Sequence, residues 1–377
     1  MSGSDDQRAQ PIPVRHRLPS TQPQQATRTM PVRPAGPNRP APQPATAPAP
    51  ARRKLPRKYL WRRILVAMGL VIALWLGLLA WAGFSAWGAV DKIAAFPTGD
   101  RPAAGSGTNV LLVGSDSRAG LSSEEAHDLG TGGSNVSEGS AHTDSIMLLH
   151  LPSSGQPTLV SFPRDSYVPI PGHGRNKINA SFAFGGAPLL IETLEDATGL
   201  RIDGYMEIGF GGFAGVVNAV GGVRMCLPEA VKDDYAHIDL PAGCQTLNGK
   251  DALGYVRSRH AFAEGDLARA KHQREFLAAL MSKIASPTNV LMPWKLHSIG
   301  VSGAQGLAVD NEMSPWMALK TVWALKGISS NGTSVQVPIA GNASTNVGDV
   351  LLWDKTKALA LFEALRNDTA LPTSVSP

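Results

Sequence analysis

At 377 residues the chain is long enough for one large domain or two small ones with a real core. Its formal net charge of +5 is concentrated at the start, in Arg33, Arg39, Arg52, Arg53, Lys54, Arg57 and Lys58, against Asp5 and Asp6. No basic stripe with interleaved aromatics follows, so composition argues against a nucleic-acid partner.

In chain order, residues 1–60 read as a disordered, Pro-rich tail, because so few apolar side chains cannot offset the entropy of ordering. Residues 61–90 are expected to form a transmembrane helix. Residues 64–90 carry no charge, and at about 1.5 Å per residue such a run crosses the hydrocarbon layer with some tilt. It is too long for a signal-peptide core and lacks a small-residue cleavage site. Trp61 and Trp87 lie near its ends, and seven basic residues from Arg52 to Arg63 flank it on one side against Lys92 on the other. The positive-inside rule then predicts a single-pass cell-membrane protein with a cytoplasmic N-terminus and an extracytoplasmic C-terminal domain.

Residues 91–107 read as a linker and residues 108–377 as that outer domain. Short apolar runs at 109–113, 145–151 and 158–162 predict strands, the last two neighbours across a Ser-Gly turn. The polar Gly/Ser segment between Arg118 and His142 shows no periodicity and is long for a structureless connection, which suits a rim or a functional loop. A short helix is predicted at 188–198, a strand at 205–210, a helical face at Phe213, Val216, Val217 and Val220, and a strand at 223–227. The longest helix is expected at 267–284, with Asp266 as N-cap and Leu277, Leu280, Met281 and Ile284 inward. Ser314-Pro315 opens a helix ending at Gly327, 335–339 is a strand, and Asp354 caps a helix reaching Arg366. Strands alternating with helices predict an α/β fold: a three-layer α/β/α sandwich with a mixed central sheet, preceded by the transmembrane helix. Cys226 and Cys244, both after the span, are expected to form a disulfide, with free thiols as the alternative; closing their loop stabilises by about 3 kcal/mol.

No Walker loop, nucleophile elbow or metal-spaced histidine pair occurs. Polar residues instead cluster at the ends of apolar strands, where α/β sheets present their sites. Asp116 and Arg118 follow the first strand, Asp144 opens the second, and Arg164 follows the third. Lys177 and Asn179 lie in Asn176-Lys177-Ile178-Asn179, and Arg257 and Arg259 end Gly254-Tyr255-Val256-Arg257-Ser258-Arg259. Arg269 and Gln273 share a face near the N-terminus of the long helix, the end that favours anions. Singly, a strand-terminal Asp is ordinarily a turn former and an Arg at a helix start a solvated charge. Together these groups suggest a phosphate clamp with a divalent cation, since arginine forks match phosphate oxygens and paired carboxylates suit Mg²⁺.

In order and spacing, the runs 109–118, 143–147, 161–166, 177–180, 255–260 and 266–273 resemble the LytR-CpsA-Psr family. They make 108–284 the motif-bearing core. The resemblance implies a phosphotransferase that moves a glycopolymer from a polyprenyl-pyrophosphate carrier onto peptidoglycan, forming a phosphodiester. It implies that Asp116 and Asp144 hold Mg²⁺ and that Arg118, Arg164, Arg257, Arg259, Arg269 and Gln273 bind the pyrophosphate. Lys177 and Asn179 would shape the site and Asp266 would orient its neighbours. The lipid tail would run in an apolar tunnel, lined either by the Phe213–Val220 face or by other residues if that face is closed core. Two departures stand out: His142 where many relatives carry Arg, and His272-Gln273-Arg274 where Arg-Gln-Gln is common. A non-catalytic sensor of lipid-linked glycans and a polyprenyl-pyrophosphate hydrolase are the rival readings.

Overall fold

The computed structural model describes residues 57–117, 121–131, 143–258, 266–330, 332–373 and 375, with backbone only for residues 57, 58, 144, 266–271, 329 and 330. Contacts divide the chain into two compact units, Met1–Tyr59 and Leu60–Pro377. Described residues of the first unit are confined to the opening of helix α1 (Arg57–Gly88). Within α1, Tyr59–Gly88 is long and apolar enough to cross a membrane, and Leu70, Val71 and Leu74 are exposed. A helix apolar on all sides and exposed over most of its length suits lipid, as a membrane anchor requires.

In the second unit, β1 (Asp91–Ile93) and β2 (Thr108–Ser115) precede the short helix α2 (Ser123–Asp128). Next come β3 (Thr143–Leu151), β4 (Thr158–Phe162), the hairpin β5 (Tyr167–Ile170) and β6 (Gly174–Lys177), and α3 (Ile178–Thr198). Then follow β7 (Gly204–Ile208), α4 (Phe210–Ala219), β8 (Val223–Leu227), β9 (Val231–Asp233), β10 (Ile238–Leu240) and β11 (Gly243–Leu247). Helices α5 (Gly249–Arg257), α6 (Asp266–Ile284), α7 (Pro287–Val290) and α8 (Pro293–Ala304) lead to β12 (Leu307–Asp310) and α9 (Pro315–Ser330). The fold closes with β13 (Thr333–Gln336), β14 (Ile339–Thr345), β15 (Gly348–Trp353) and α10 (Lys355–Arg366).

Seven strands form the central sheet in the order β1-β12-β7-β2-β3-β4-β13. It is mixed: β1/β12, β2/β7 and β4/β13 are parallel, while β12/β7, β2/β3 and β3/β4 are antiparallel. Alternation along the strands assigns the layers. Leu111, Val113, Ile146 and Leu148 face α3 and α10, meeting Ile191, Leu194, Leu361 and Phe362. Val110, Met147, Leu149 and Leu159 face the other way, against Met313 and Leu325 and, on α6, Leu277 and Met281. Full burial of a leucine such as Leu111 or Leu149 stabilises by about 2 kcal/mol. The three-layer architecture with a mixed sheet is therefore as expected.

A smaller core gathers β8, β11, α4 and α5 around Val217, Val223, Tyr255 and Phe276. Cys226 and Cys244 are directly opposite on β8 and β11 and form a disulfide.

Several boundaries differ from the sequence reading, each for a local reason. Residues 91–93, expected as linker, pair with β12 as an edge strand. The loop after Arg118 contains α2, nucleated by a reciprocal capping box between Ser122 and Glu125. The helix expected at 188–198 is the second half of α3, whose backbone breaks at Gly185 and Gly186 ahead of Pro188. It stops at Gly199, whose φ of 64° needs glycine and whose N–H caps Glu195 at 2.7 Å. Helix α9 runs past Gly327 to Ser330. The strand at 335–339 is two strands, parted at Pro338, which has no N–H to donate to a ladder. Helix α6 begins at Asp266, so the cap expected of that residue lies outside what is described.

Candidate functional site

Strand directions bring the expected site residues to one end of the sheet. Strands β2, β4 and β7 finish there, and β3 and β12 start there. Asp116, half-buried, comes directly after β2. On β3, Ser145 pairs with Gly114 but Thr143 pairs with Ser115, so Asp144 is the extra residue of a β-bulge. Bulges re-aim a side chain and interrupt pairing, a device common at sites. The two aspartates thus stand at adjacent strand ends on either side of the Ser115–Thr143 pair.

Helix α4 is fastened to the end of β2 by a hydrogen bond from the Phe210 N–H to the Ser117 carbonyl (3.1 Å). The approach is so close that a Cβ on Gly209 would lie 2.8 Å from that carbonyl oxygen, which explains glycine there. Arg257, ending α5, places its guanidinium 4.7 Å from the centre of the Phe210 ring. Gln273 on α6 donates to the Val256 carbonyl (3.0 Å), tying the start of α6 to the last turn of α5. His272 lies against Tyr255, ring centroids 5.2 Å apart. The Tyr255 phenol is pushed up to about 12, chiefly by burial and further by the Glu275 charge.

After β4 the chain turns through Pro163-Arg164-Asp165. The Asp165 carboxylate takes the Lys177 ammonium at 2.8 Å and faces Arg164 Nε at 3.5 Å. The first N–H groups of α3, on Ile178 and Asn179, donate to the Ser166 and Arg164 carbonyls (2.8 and 3.2 Å). Helix α3 therefore clamps the turn that carries Arg164, and Lys177 and Asn179 act as its supports.

The structure thus gathers Asp116, the Asp144 backbone, Arg164, Lys177, Asn179, Arg257 and Gln273 around linked elements at one sheet end. Arg118 and Arg259 lie outside the described residues, as do the side chains of Asp144, Asp266 and Arg269. Among the described residues no cluster of three or more His, Cys, Asp or Glu forms a closed metal cage. Asp116 and the backbone of Asp144 nevertheless stand at adjacent strand ends, and two residues of this type suit Mg²⁺ chemically, since the ion uses one or two carboxylates and completes its shell with water and phosphate oxygens.

Sequence reasoning passed over Arg274 as a site residue. Its guanidinium Nη1 donates to the Ser161 hydroxyl at 2.9 Å, next to the last residue of β4. Burial lowers its pKa, partly countered by Glu275. The signal was present: Arg274 is three and seven residues before Leu277 and Met281, so it shares their sheet-facing side. The Phe213–Val220 face belongs to the smaller core, where Val216, Val217 and Val220 are buried among β8, α5 and α6. The closed-core alternative describes it.

A mixed-sheet sandwich with acidic and basic residues gathered at one sheet end defines the class: an α/β protein with a charged site at its strand ends. A match to the LytR_cpsA_psr family covers residues 90–367, and the chain belongs to that family. It is 50% identical over 261 residues to the probable cell wall biosynthesis protein LcpB of Corynebacterium glutamicum, covering 69% of this chain and 61% of that protein's length. It is 30% identical over 254 residues to the polyisoprenyl-teichoic acid–peptidoglycan teichoic acid transferase TagU of Oceanobacillus iheyensis, covering 66% of this chain and 72% of the relative. The fold superposes on a LytR-Csp2A-Psr enzyme from Actinomyces oris with a TM-score of 0.56 at 20% identity, covering 74% and 96% of the two chains.

Proposed function

We propose that this protein is a membrane-anchored phosphotransferase that moves a glycopolymer from a polyprenyl-pyrophosphate carrier onto peptidoglycan, with α1 as its single span, the N-terminus cytoplasmic and the folded domain outside. The observation that carries this reading is the convergence of Asp116, Asp144, Arg164 and Arg257 on one sheet end in a chain that belongs to this family. The names of its relatives, a cell wall biosynthesis protein and a transferase from polyisoprenyl-linked polymer to peptidoglycan, support it.

In this mechanism Arg164 and Arg257 hold the pyrophosphate oxygens, together with Arg118, Arg259, Arg269 and Gln273. Asp165 and Lys177 fix the turn that aims Arg164. A peptidoglycan hydroxyl attacks the sugar-proximal phosphorus, the new P–O bond completes the phosphodiester, and the bond to the carrier-side phosphate breaks. The carrier leaves as polyprenyl phosphate, and the hydroxyl proton passes to a carboxylate or to water. Asp116 and Asp144 would hold Mg²⁺, which supplies positive charge against the phosphate oxygens. Positioning and charge stabilisation carry most of the work, because phosphoryl transfer leaves the protein little covalent chemistry.

The test uses the full chain in lipid nanodiscs, a lipid-pyrophosphate-linked sugar and peptidoglycan fragments, with Mg²⁺ or with EDTA, beside Asp144→Ala. Metal-dependent formation of a sugar–peptidoglycan phosphodiester, lost in the variant, is the expected result. Release of free phosphorylated sugar with no coupling would make the protein a hydrolase. Binding without turnover would make it a sensor.

A further inference from the structure

Helices α1 and α8 run side by side in the same direction. The Trp75 indole N–H donates to the Leu291 carbonyl (3.0 Å), and Trp81 stacks on His297 with ring centroids 4.5 Å apart. Ser85 Oγ lies 3.1 Å from His297 Nε2, and a Cβ on Gly300 would fall 2.5 Å from Ala86 Cβ. The sheltered positions of α1 match: Trp75, Leu79 and Ala82, each less exposed than its neighbours, share one helical face with the half-buried Ala86.

These contacts fix a depth. A hydrocarbon layer about 30 Å thick takes about twenty helical residues. Arg62 and Arg63 bound the charge-free run, so counting about twenty residues from them ends the layer near Phe84, or near Ala80 if their long stems reach inward. Trp75 then lies about 7–13 Å inside the boundary on the domain's side, at 1.5 Å per residue. The corner between α7 and α8 is bonded to Trp75 and goes with it. That corner is Leu291-Met292-Pro293-Trp294, with Leu291 52% and Trp294 67% exposed. Lys295, next in sequence and exposed, has a stem long enough to return its ammonium to the headgroups.

A second feature lies on α9. Trp316, Leu319 and Trp323 make an exposed stripe along α9, and the Lys320 and Lys326 ammonium groups lie 5.7 and 5.2 Å from the Trp316 and Trp323 ring centres. The inner side of α9, at Met317 and Ala324, packs into the same hydrophobic cluster as Trp87 and Val90 at the end of α1. Indole rings beside lysines are the residues that bilayer interfaces favour, and lysines there meet anionic phosphates.

We propose that the folded domain is seated in the leaflet on its own side of the membrane by two elements besides α1. The corner 291–294 inserts into hydrocarbon, and the Trp316-Leu319-Trp323 stripe lies among the headgroups with Lys320 and Lys326 on lipid phosphates. The partner is an anionic bilayer surface. The proposal rests on α1 being the span, and it adds that the domain cannot swing freely on a tether: its site is held at a set height and orientation over the lipid.

The test is nitroxide depth measurement on the full chain in nanodiscs of phosphatidylglycerol and phosphatidylethanolamine. Labels go singly on Leu291→Cys and Trp323→Cys, with Leu70→Cys as an in-membrane control and Thr345→Cys, at the half-exposed end of β14, as an aqueous one. Cys226 and Cys244 are bonded to each other and do not compete for label. Oxygen should relax labels 70 and 291 far more than a water-soluble nickel chelate does, label 323 should fall between, and label 345 should favour the chelate. If 291 and 323 behave like 345 while 70 stays lipid-like, the seating is wrong and the span stands. A chelate-accessible label 70 would remove the span reading and the seating with it. Spin–spin broadening at 291 or 323 would assign the surface to a second copy of the chain and overturn the proposal.

Discussion

Arg274 of α6 holds Ser161 of β4 by a 2.9 Å hydrogen bond between residues 113 apart in sequence. The bond ties a helix that carries Arg269 and Gln273 to the strand that delivers Arg164. Because the guanidinium is half-buried and remains charged, the contact is a charge-assisted hydrogen bond. Arg274→Ala should destabilise by about 2 kcal/mol and lower transfer about tenfold or more. Arg274→Lys should recover most of the stability but less of the rate, since one ammonium does not reproduce the fork. Denaturant midpoints and single-turnover transfer separate the two effects.

Asp165 is expected to act through its neighbours. In Asp165→Asn, Lys177 and Arg164 lose a common carboxylate, and the aim of Arg164 loosens. The ion pairs are only partly shielded, so the stability cost should be about 1 kcal/mol or less, while transfer falls about tenfold. Arg164→Ala should fall by more than an order of magnitude. An Asp165→Asn rate equal to wild type would show that the triad is structural decoration of the turn.

Gly209→Ala places a methyl group 2.8 Å from the Ser117 carbonyl oxygen. Backbone cannot yield cheaply, so α4 must move away from the end of β2, carrying Phe210 and with it the Arg257 guanidinium. Loss of transfer with a fall in unfolding midpoint equivalent to about 1–3 kcal/mol is expected. An unchanged rate would mean that the β2–α4 junction does not position Arg257.

His150 is buried between Asn109 Oδ1 and Asp368 Oδ1, each 2.8 Å from a ring nitrogen. Burial holds its pKa below the ordinary 6.5, outweighing the favourable hydrogen bond and charge of Asp368. The unfolded chain therefore takes up the proton first, and stability present above pH 6.5 is lost as pH falls through 6.5 toward the folded value. Burial raises the Asp368 pKa, but hydrogen bonds from Ser153 and His150 more than offset it, so its own contribution is lost only below 3.8. Unfolding midpoints between pH 7.5 and 5 should fall less in His150→Gln than in wild type. Parallel curves would show that another group sets the slope.

Much of this protein was legible along the chain. The long apolar helix α1, the three strands that lead to or carry Asp116, Asp144 and Arg164, the pairing of Cys226 with Cys244 and the α/β class all follow from runs of apolar residues and local turn chemistry. These signals are written in residues close to one another, and hydrophobic periodicity reads them directly. The resemblance to a family then attached roles to residues whose individual placement has many ordinary explanations.

Tertiary structure decided the rest. That β1 joins β12, that Asp144 is a bulge residue, and that Arg274 turns toward Ser161 depend on register and on which faces meet, and a shift of one residue would reverse each. The role of the Phe213–Val220 face was open in sequence because an amphipathic helix declares that it has an inner side and not what it packs against; packing against β8, α5 and α6 settled it. The contact between Trp75 and Leu291 is the furthest from sequence of all, since it joins residues more than two hundred apart. Local sequence specifies elements through short-range sterics and solvent, whereas partners at long range are chosen by the closing of the whole core.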